Sequence, residues 1–127
     1  MNVPEDLRYT AEHEWVRVEP SGVVRVGITD FAQDSLGDIV YVQLPAVGSK
    51  VSSGDSFGEV ESTKSVSEIY APISGEVTAR NEGVEASPEI INSDPYEEGW
   101  LVEIQIADPS EVEALLTAAA YAELTQS

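Results

Sequence analysis

The chain has 127 residues, the length of one domain, and 42% of them are apolar, enough to build a core and too many for wholesale disorder. Its 24 acidic residues against six basic ones give a formal charge of -18, which repels phosphate backbones and anionic lipid, so neither nucleic acid nor a membrane surface is an expected partner. The lack of cysteine excludes disulfides, thiolate nucleophiles and zinc-thiolate or iron–sulfur sites.

The first residues, Met1-Asn2-Val3-Pro4-Glu5-Asp6, have neither the basic and apolar parts of a signal peptide nor the arginines of a transit peptide. No apolar run is long enough to cross a bilayer, and a cytoplasmic location is expected. Trp15 to Val18 alternates as a strand, Pro20-Ser21-Gly22 turns, and Val23 to Ile28 returns as the second strand of a hairpin. Thr29 or Asp30 caps a short helix over Phe31–Leu36, which Gly37 ends. Ile39–Leu44 is a third strand, closed by Pro45 and Gly48. Short strands follow over Phe57–Glu61, Val66–Tyr70 and Gly75–Ala79, with Pro72 and Ser74-Gly75 between the last two.

Val84–Pro95 is polar and proline-punctuated and is expected to be a loop. Trp100–Ile106 alternates again. Asp108-Pro109-Ser110-Glu111 then offers an N-cap, a proline at the first helical position and a glutamate at the third. Val112, Leu115, Leu116 and Ala119 recur at helical spacing, which predicts a terminal amphipathic helix packed on the sheets. Evenly spaced short strands imply a mostly β fold, a sandwich or flattened barrel with helical additions. A short echo, Gly58-Glu59-Val60 and Gly75-Glu76-Val77, flanks Lys64 and suggests two similar β half-units.

Few residues could support catalysis. His13 is the sole histidine, so histidine-cluster metal sites are ruled out, and no Gly-x-Ser-x-Gly turn supports a triad through it. No Walker-type or dinucleotide-type glycine loop is present. Carboxylates are so abundant that a pair at glycosidase spacing would carry no information. Asn92-Ser93-Asp94-Pro95-Tyr96-Glu97-Glu98 lacks EF-hand spacing and reads as a solvated turn.

Lys64 stands apart. It is one of two lysines, with Lys50 the other, and it sits between two β-prone stretches at the centre of Glu61-Ser62-Thr63-Lys64-Ser65-Val66-Ser67-Glu68. A Schiff-base or general-base lysine needs an apolar, desolvating surround, whereas Ser62, Thr63, Ser65 and Ser67 are small and hydroxylated. They suit an exposed hairpin tip, where the amine is either an ordinary surface lysine or an attachment point. Acylation there would make a long arm that visits several active sites without releasing its load.

Gly58 to Glu68 resembles the lipoylation segment of the glycine cleavage system H protein family. Tyr9-Thr10-Ala11-Glu12-His13-Glu14-Trp15, Val26 to Val40, Tyr70 to Val77 and Asn92 to Trp100 resemble further segments of that family, in the same order, from about Val3 to the C-terminal helix. The resemblance implies a single lipoyl/biotinyl-type domain over 1–127, with two antiparallel sheets, short helices and lipoate in amide linkage to Lys64. It implies a non-catalytic shuttle. A pyridoxal-phosphate glycine decarboxylase loads an aminomethyl group, an aminomethyltransferase passes its carbon to tetrahydrofolate, and dihydrolipoyl dehydrogenase reoxidises the arm.

Lipoate-attaching enzymes would be further partners, and a monomer is expected of a carrier that visits so many. A labile, cationic load needs a cleft that excludes water, with Glu14 and Glu68, and less strongly Glu12, as the expected carboxylate cradle. Thr63 and Ser65, in place of methionines, disfavour a biotinyl domain. The N-terminal hairpin, the capped helix and the terminal helix disfavour an excised acyltransferase lipoyl domain. A paralogue that relays lipoyl groups between proteins, and an acidic interaction module whose lysine is never modified, remain open.

Overall fold

A computed structural model describes residues 2–125. Its strands are β1 (Arg8–Tyr9), β2 (Glu14–Val18), β3 (Val23–Ile28), β4 (Ile39–Gln43), β5 (Lys50–Val51), β6 (Ser56–Ser62), β7 (Val66–Tyr70), β8 (Gly75–Arg80) and β9 (Val102–Ile106). They form two antiparallel sheets, one of six strands in the order β1-β2-β3-β9-β8-β5 and one of three in the order β4-β6-β7. The expected fold class is borne out. The two-residue strands β1 and β5 carry too little alternation to be seen in the sequence.

Period-two alternation directs one face of each sheet inward. Val24, Val26, Val77 and Ile104 of the large sheet join Ile39, Val42, Val60 and Ile69 of the small one in a single buried cluster. Strand β2 is buried on both faces. Val16 joins this core, while Trp15 belongs to a second cluster with Leu7, Tyr9, Tyr96, Ala118 and Tyr121. Trp15 lies over its cross-strand partner Gly27, where an added Cβ would come within 2.6 Å of the indole, and its Nε1 donates to Pro95 O at 2.9 Å.

Helix α1 (Asp30–Leu36) is capped as expected, with Thr29 Oγ1 accepting from Ala32 N and Gly37 ending it at φ 85°. Two expectations are corrected. The expected loop over 84–95 takes in the end of α2 (Glu82–Ala86) and all of α3 (Ile90–Ser93), each burying one apolar residue, Val84 and Ile91. Asn81 caps α2 by accepting from Gly83 N, a capping signal legible in Asn81-Glu82 but outweighed by the surrounding polarity.

The terminal helix is in fact two, α4 (Ser110–Glu113) and α5 (Ala118–Thr125). The N-cap of α4 is Pro109, not the expected Asp108, which accepts from Ser110 N at 3.0 Å just before the helix, and Glu111 reaches Ser74 instead of closing a box. The helix breaks because Leu116 exchanges both backbone hydrogen bonds with Tyr9, at 2.9 and 2.8 Å. Tertiary pairing thus overrides helical periodicity. Ala118 and Tyr121, not the expected apolar series, are the buried residues of α5.

Candidate functional site

Strands β6 and β7 pair from Ser56–Tyr70 to Glu61–Val66 and leave Thr63, Lys64 and Ser65 exposed at their tip. Ser62 organises that turn: its Oγ accepts from Lys64 N at 3.3 Å and Ser65 N at 3.1 Å, and its backbone N donates to Ser65 O at 2.8 Å. The short hydroxylated side chain thereby satisfies amides that the tight turn leaves without strand partners.

The tip is held to the rest of the fold. Thr63 N donates to Asp38 O at 3.1 Å, and Lys64 Cε passes within 3.5 Å of where a Gly37 Cβ would stand. Asn92 of α3 clamps this segment by donating to Gly37 O and accepting from Ile39 N, at 2.9 and 2.8 Å. Asn92 lies in the stretch expected to be a loop, so its bracing role was not legible. Among the described residues the Lys64 ammonium forms no ion pair with a carboxylate. An amine on a fixed backbone with an open approach fits amide formation with a long acyl group. Lys50 lies instead on β5, at an edge of the other sheet.

At the other end of β7, roughly 13 Å from Val66 by strand rise, Tyr70 borders a cleft of about 390 Å³. Its walls include Tyr9, Pro72, Ala114, Leu115 and Leu116, with Glu12 and Glu14 among them. Of the three expected carboxylates, Glu14 and Glu12 line this cleft, and Glu68 does not.

Glu14 is 2% exposed. Its Oε1 accepts from Thr10 Oγ1 at 2.5 Å and its Oε2 from Tyr70 N at 3.3 Å. Burial pushes its carboxyl up to about 7, despite the two hydrogen bonds that favour the ionised form, and the charge of Glu12 adds to the rise. Glu12 itself is exposed at the rim. Glu68 is exposed on β7, where it accepts from Ser56 Oγ and Tyr70 Oη, each at 3.2 Å. Tyr70 therefore links the two carboxylates, through its amide to Glu14 and its hydroxyl to Glu68. Neither Tyr70 nor Thr10 stood out in the sequence, because a tyrosine ending a strand is ordinary.

His13 closes the β1–β2 turn at φ 73°, a left-handed conformation rare outside glycine. Its Nδ1 lies 2.7 Å from Tyr121 Oη, its ring packs on Phe31, and burial lowers its pKa. Tyr121 Oη also meets Thr29 Oγ1 at 2.7 Å. The histidine therefore ties α5 to the capped end of α1.

The family model described as Glycine cleavage H-protein matches residues 7–127. A glycine cleavage system H protein of Mycobacterium avium (strain 104) is 59% identical over 122 residues, covering 96% of this chain and 92% of that protein. One from Anaeromyxobacter sp. (strain K) is 61% identical over 121 residues, covering 95% and 94%. The crystal structure of a glycine cleavage system H protein from Mycobacterium marinum superposes with a TM-score of 0.88 at 48% identity, over 95% of this chain and 97% of that one.

Proposed function

The chain belongs to the glycine cleavage H-protein family, and on that premise we propose that it is a lipoyl carrier, with lipoate in amide linkage to Lys64. The observation that carries this reading is an exposed, braced amine on the same strand pair that borders a cleft with a buried carboxylate. When bound, the lipoyl group would supply a dithiolane whose disulfide is reduced as it takes up the aminomethyl group of glycine, and which gives up two electrons when the arm is later reoxidised.

This chain's residues hold and protect. Val66, Glu68 and Tyr70 alternate onto one face of β7 and offer a track from the tip to the cleft. Apolar walls at Pro72, Leu115 and Leu116 keep water from the arm's end. Glu14 faces a cationic amine there, and a cation in the cleft draws its carboxyl toward the ionised form. Glu68 orients Tyr70 from outside, and Glu12 adds negative potential at the rim. The partners are the pyridoxal-phosphate glycine decarboxylase, the tetrahydrofolate-dependent aminomethyltransferase and dihydrolipoyl dehydrogenase, together with the enzymes that attach lipoate. The chain acts on none of them as a catalyst, and a cytoplasmic monomer suits that role.

Reconstitution tests the reading. The lipoylated chain, added to a glycine decarboxylase with bicarbonate, is expected to support exchange of label into the glycine carboxyl. Full lipoylation with exchange no faster than in the chain's absence would instead favour a paralogue that only relays lipoyl groups.

A further inference from the structure

The outer face of the three-stranded sheet carries a feature that holding an arm does not require. A β-bulge between Ile39 and Tyr41 inserts Val40 into β4, so that Val40 and Tyr41 both face solvent at 53% and 51% exposure. Simple alternation would turn one of them inward. Across the sheet, Tyr41 pairs with Glu61 and Glu61 with Val66, itself 57% exposed, so the row below the Lys64 tip sets apolar side chains on the two edge strands, about 10 Å apart, on either side of one carboxylate. The next row down is Gln43, Glu59 and Glu68, with two carboxylates directly opposed. Like charges in that position weaken a sheet. Neither glutamate has an ion-pair partner among the described residues.

We infer that this tip-side row, with Val40 and Tyr41 on one edge, Val66 on the other, Glu61 between them and Glu59 and Glu68 below, is the docking surface for the enzyme that acylates Lys64. The inference rests on the proposed lipoylation of Lys64. Reach selects this partner over the others. A lysine side chain is short, so an enzyme that captures Nζ itself must lie on the surface around the tip. Enzymes that act on the far end of the arm can stand off from it. Charge supplies the complement: the partner's face presents apolar groups on either side of a lysine or arginine that meets Glu61, and further basic groups relieve the repulsion between Glu59 and Glu68. In the step served, neutral Nζ attacks the carbonyl carbon of lipoyl adenylate, made from lipoate and ATP. The amide C–N bond forms, the C–O bond to the phosphate breaks, AMP leaves with the electron pair, and the nitrogen loses a proton.

The test uses the unlipoylated chain with lipoate, ATP and a lipoate–protein ligase, followed by intact mass against time. Val40→Ser/Tyr41→Ser, and separately Val66→Ser, are expected to raise KM about 20-fold with kcat nearly unchanged. Tyr41→Phe should retain wild-type values. Val18→Ser/Val47→Ser, which removes two equally exposed valines elsewhere, should change kcat/KM by less than about twofold. Melting curves of all variants are expected to match the wild type, since every position is solvent-facing, and Val66→Ser stands as the reading if the double variant melts early. Unchanged KM in the Val40/Tyr41 and Val66 variants, with the wild type lipoylated at Lys64, overturns the docking surface and leaves the carrier reading intact. A fall in kcat alone also overturns it, because that reports a misplaced lysine and not lost docking, as does a wild-type dimer in sedimentation that these substitutions dissolve. Failure of the wild type to gain mass removes the carrier reading and this inference together.

Discussion

Gly75→Ala is expected to lower the unfolding free energy by about 3 kcal/mol or more. A Cβ at Gly75 would stand 2.1 Å from Gln105 O and 2.7 Å from Ile104 Cγ2. The nearer atom belongs to the backbone of β9, paired to β8 from Gly75–Ile106 to Arg80–Val102, so relief requires prising two strands apart. Gly58 has the same environment, with an added Cβ at 2.5 Å from Gln43 O. In each case the following glutamate pairs with that glutamine, Glu59 with Gln43 and Glu76 with Gln105. The Gly-Glu-Val echo thus has a physical basis: in each half-unit the glycine sits where a neighbouring strand's carbonyl leaves no room for a side chain. Gly48 and Gly54, with positive φ but open space around them, should cost nearer 1 kcal/mol on the same substitution. Urea unfolding measures all four. A loss below that of Gly48→Ala would refute the steric account of Gly75.

Glu14→Gln is expected to stabilise the protein at pH 8 and to have little effect at pH 4.5. In the folded chain the Glu14 carboxyl holds its proton up to about pH 7, against an ordinary value of 4.5. Between those values the folded state binds more protons than the unfolded one, so this group's contribution to stability falls as pH rises. Below the window the buried acid is neutral in both states, and above it the full cost of a buried carboxylate is present. That cost is roughly 3 kcal/mol. A glutamine can accept from Tyr70 N and donate to Thr10 Oγ1 without a charge. The difference between wild type and variant isolates Glu14 from the repulsion among the other carboxylates. Parallel stability curves across pH 4.5 to 8 would show that Glu14 does not titrate as its burial demands.

A buried acid that destabilises its own fold points to a use for it. With the arm loaded, Glu14→Ala is expected to hydrolyse its load faster than the wild type, while Glu68→Ala, outside the cleft, should have the smaller effect. An unchanged hydrolysis rate in Glu14→Ala would remove the carboxylate from the cradle.

The sandwich was legible because its long strands alternate cleanly and their turns carry glycine, proline and serine. The cap on α1 and the Lys64 hairpin were legible for the same local reason. What escaped depends on distant partners. The bulge at Val40 looks in sequence like more of a regular strand, and Leu116 leaves helical geometry only because Tyr9 is there to pair with it. Glu14 resembles any other acid among 24. Its burial is set by Thr10, Tyr70 and the apolar walls that the segment after α4 brings from the far end of the chain. Asn92 was hidden likewise, since its clamp on Gly37 and Ile39 joins residues more than fifty positions apart.

The central claim is that Lys64 is the attachment point, and intact mass after expression with lipoate tests it most directly. The account predicts a gain of one lipoyl group on the wild type, complete loss of that gain in Lys64→Arg, and full retention in Lys50→Arg. No gain on the wild type, or a gain that survives Lys64→Arg, would contradict it.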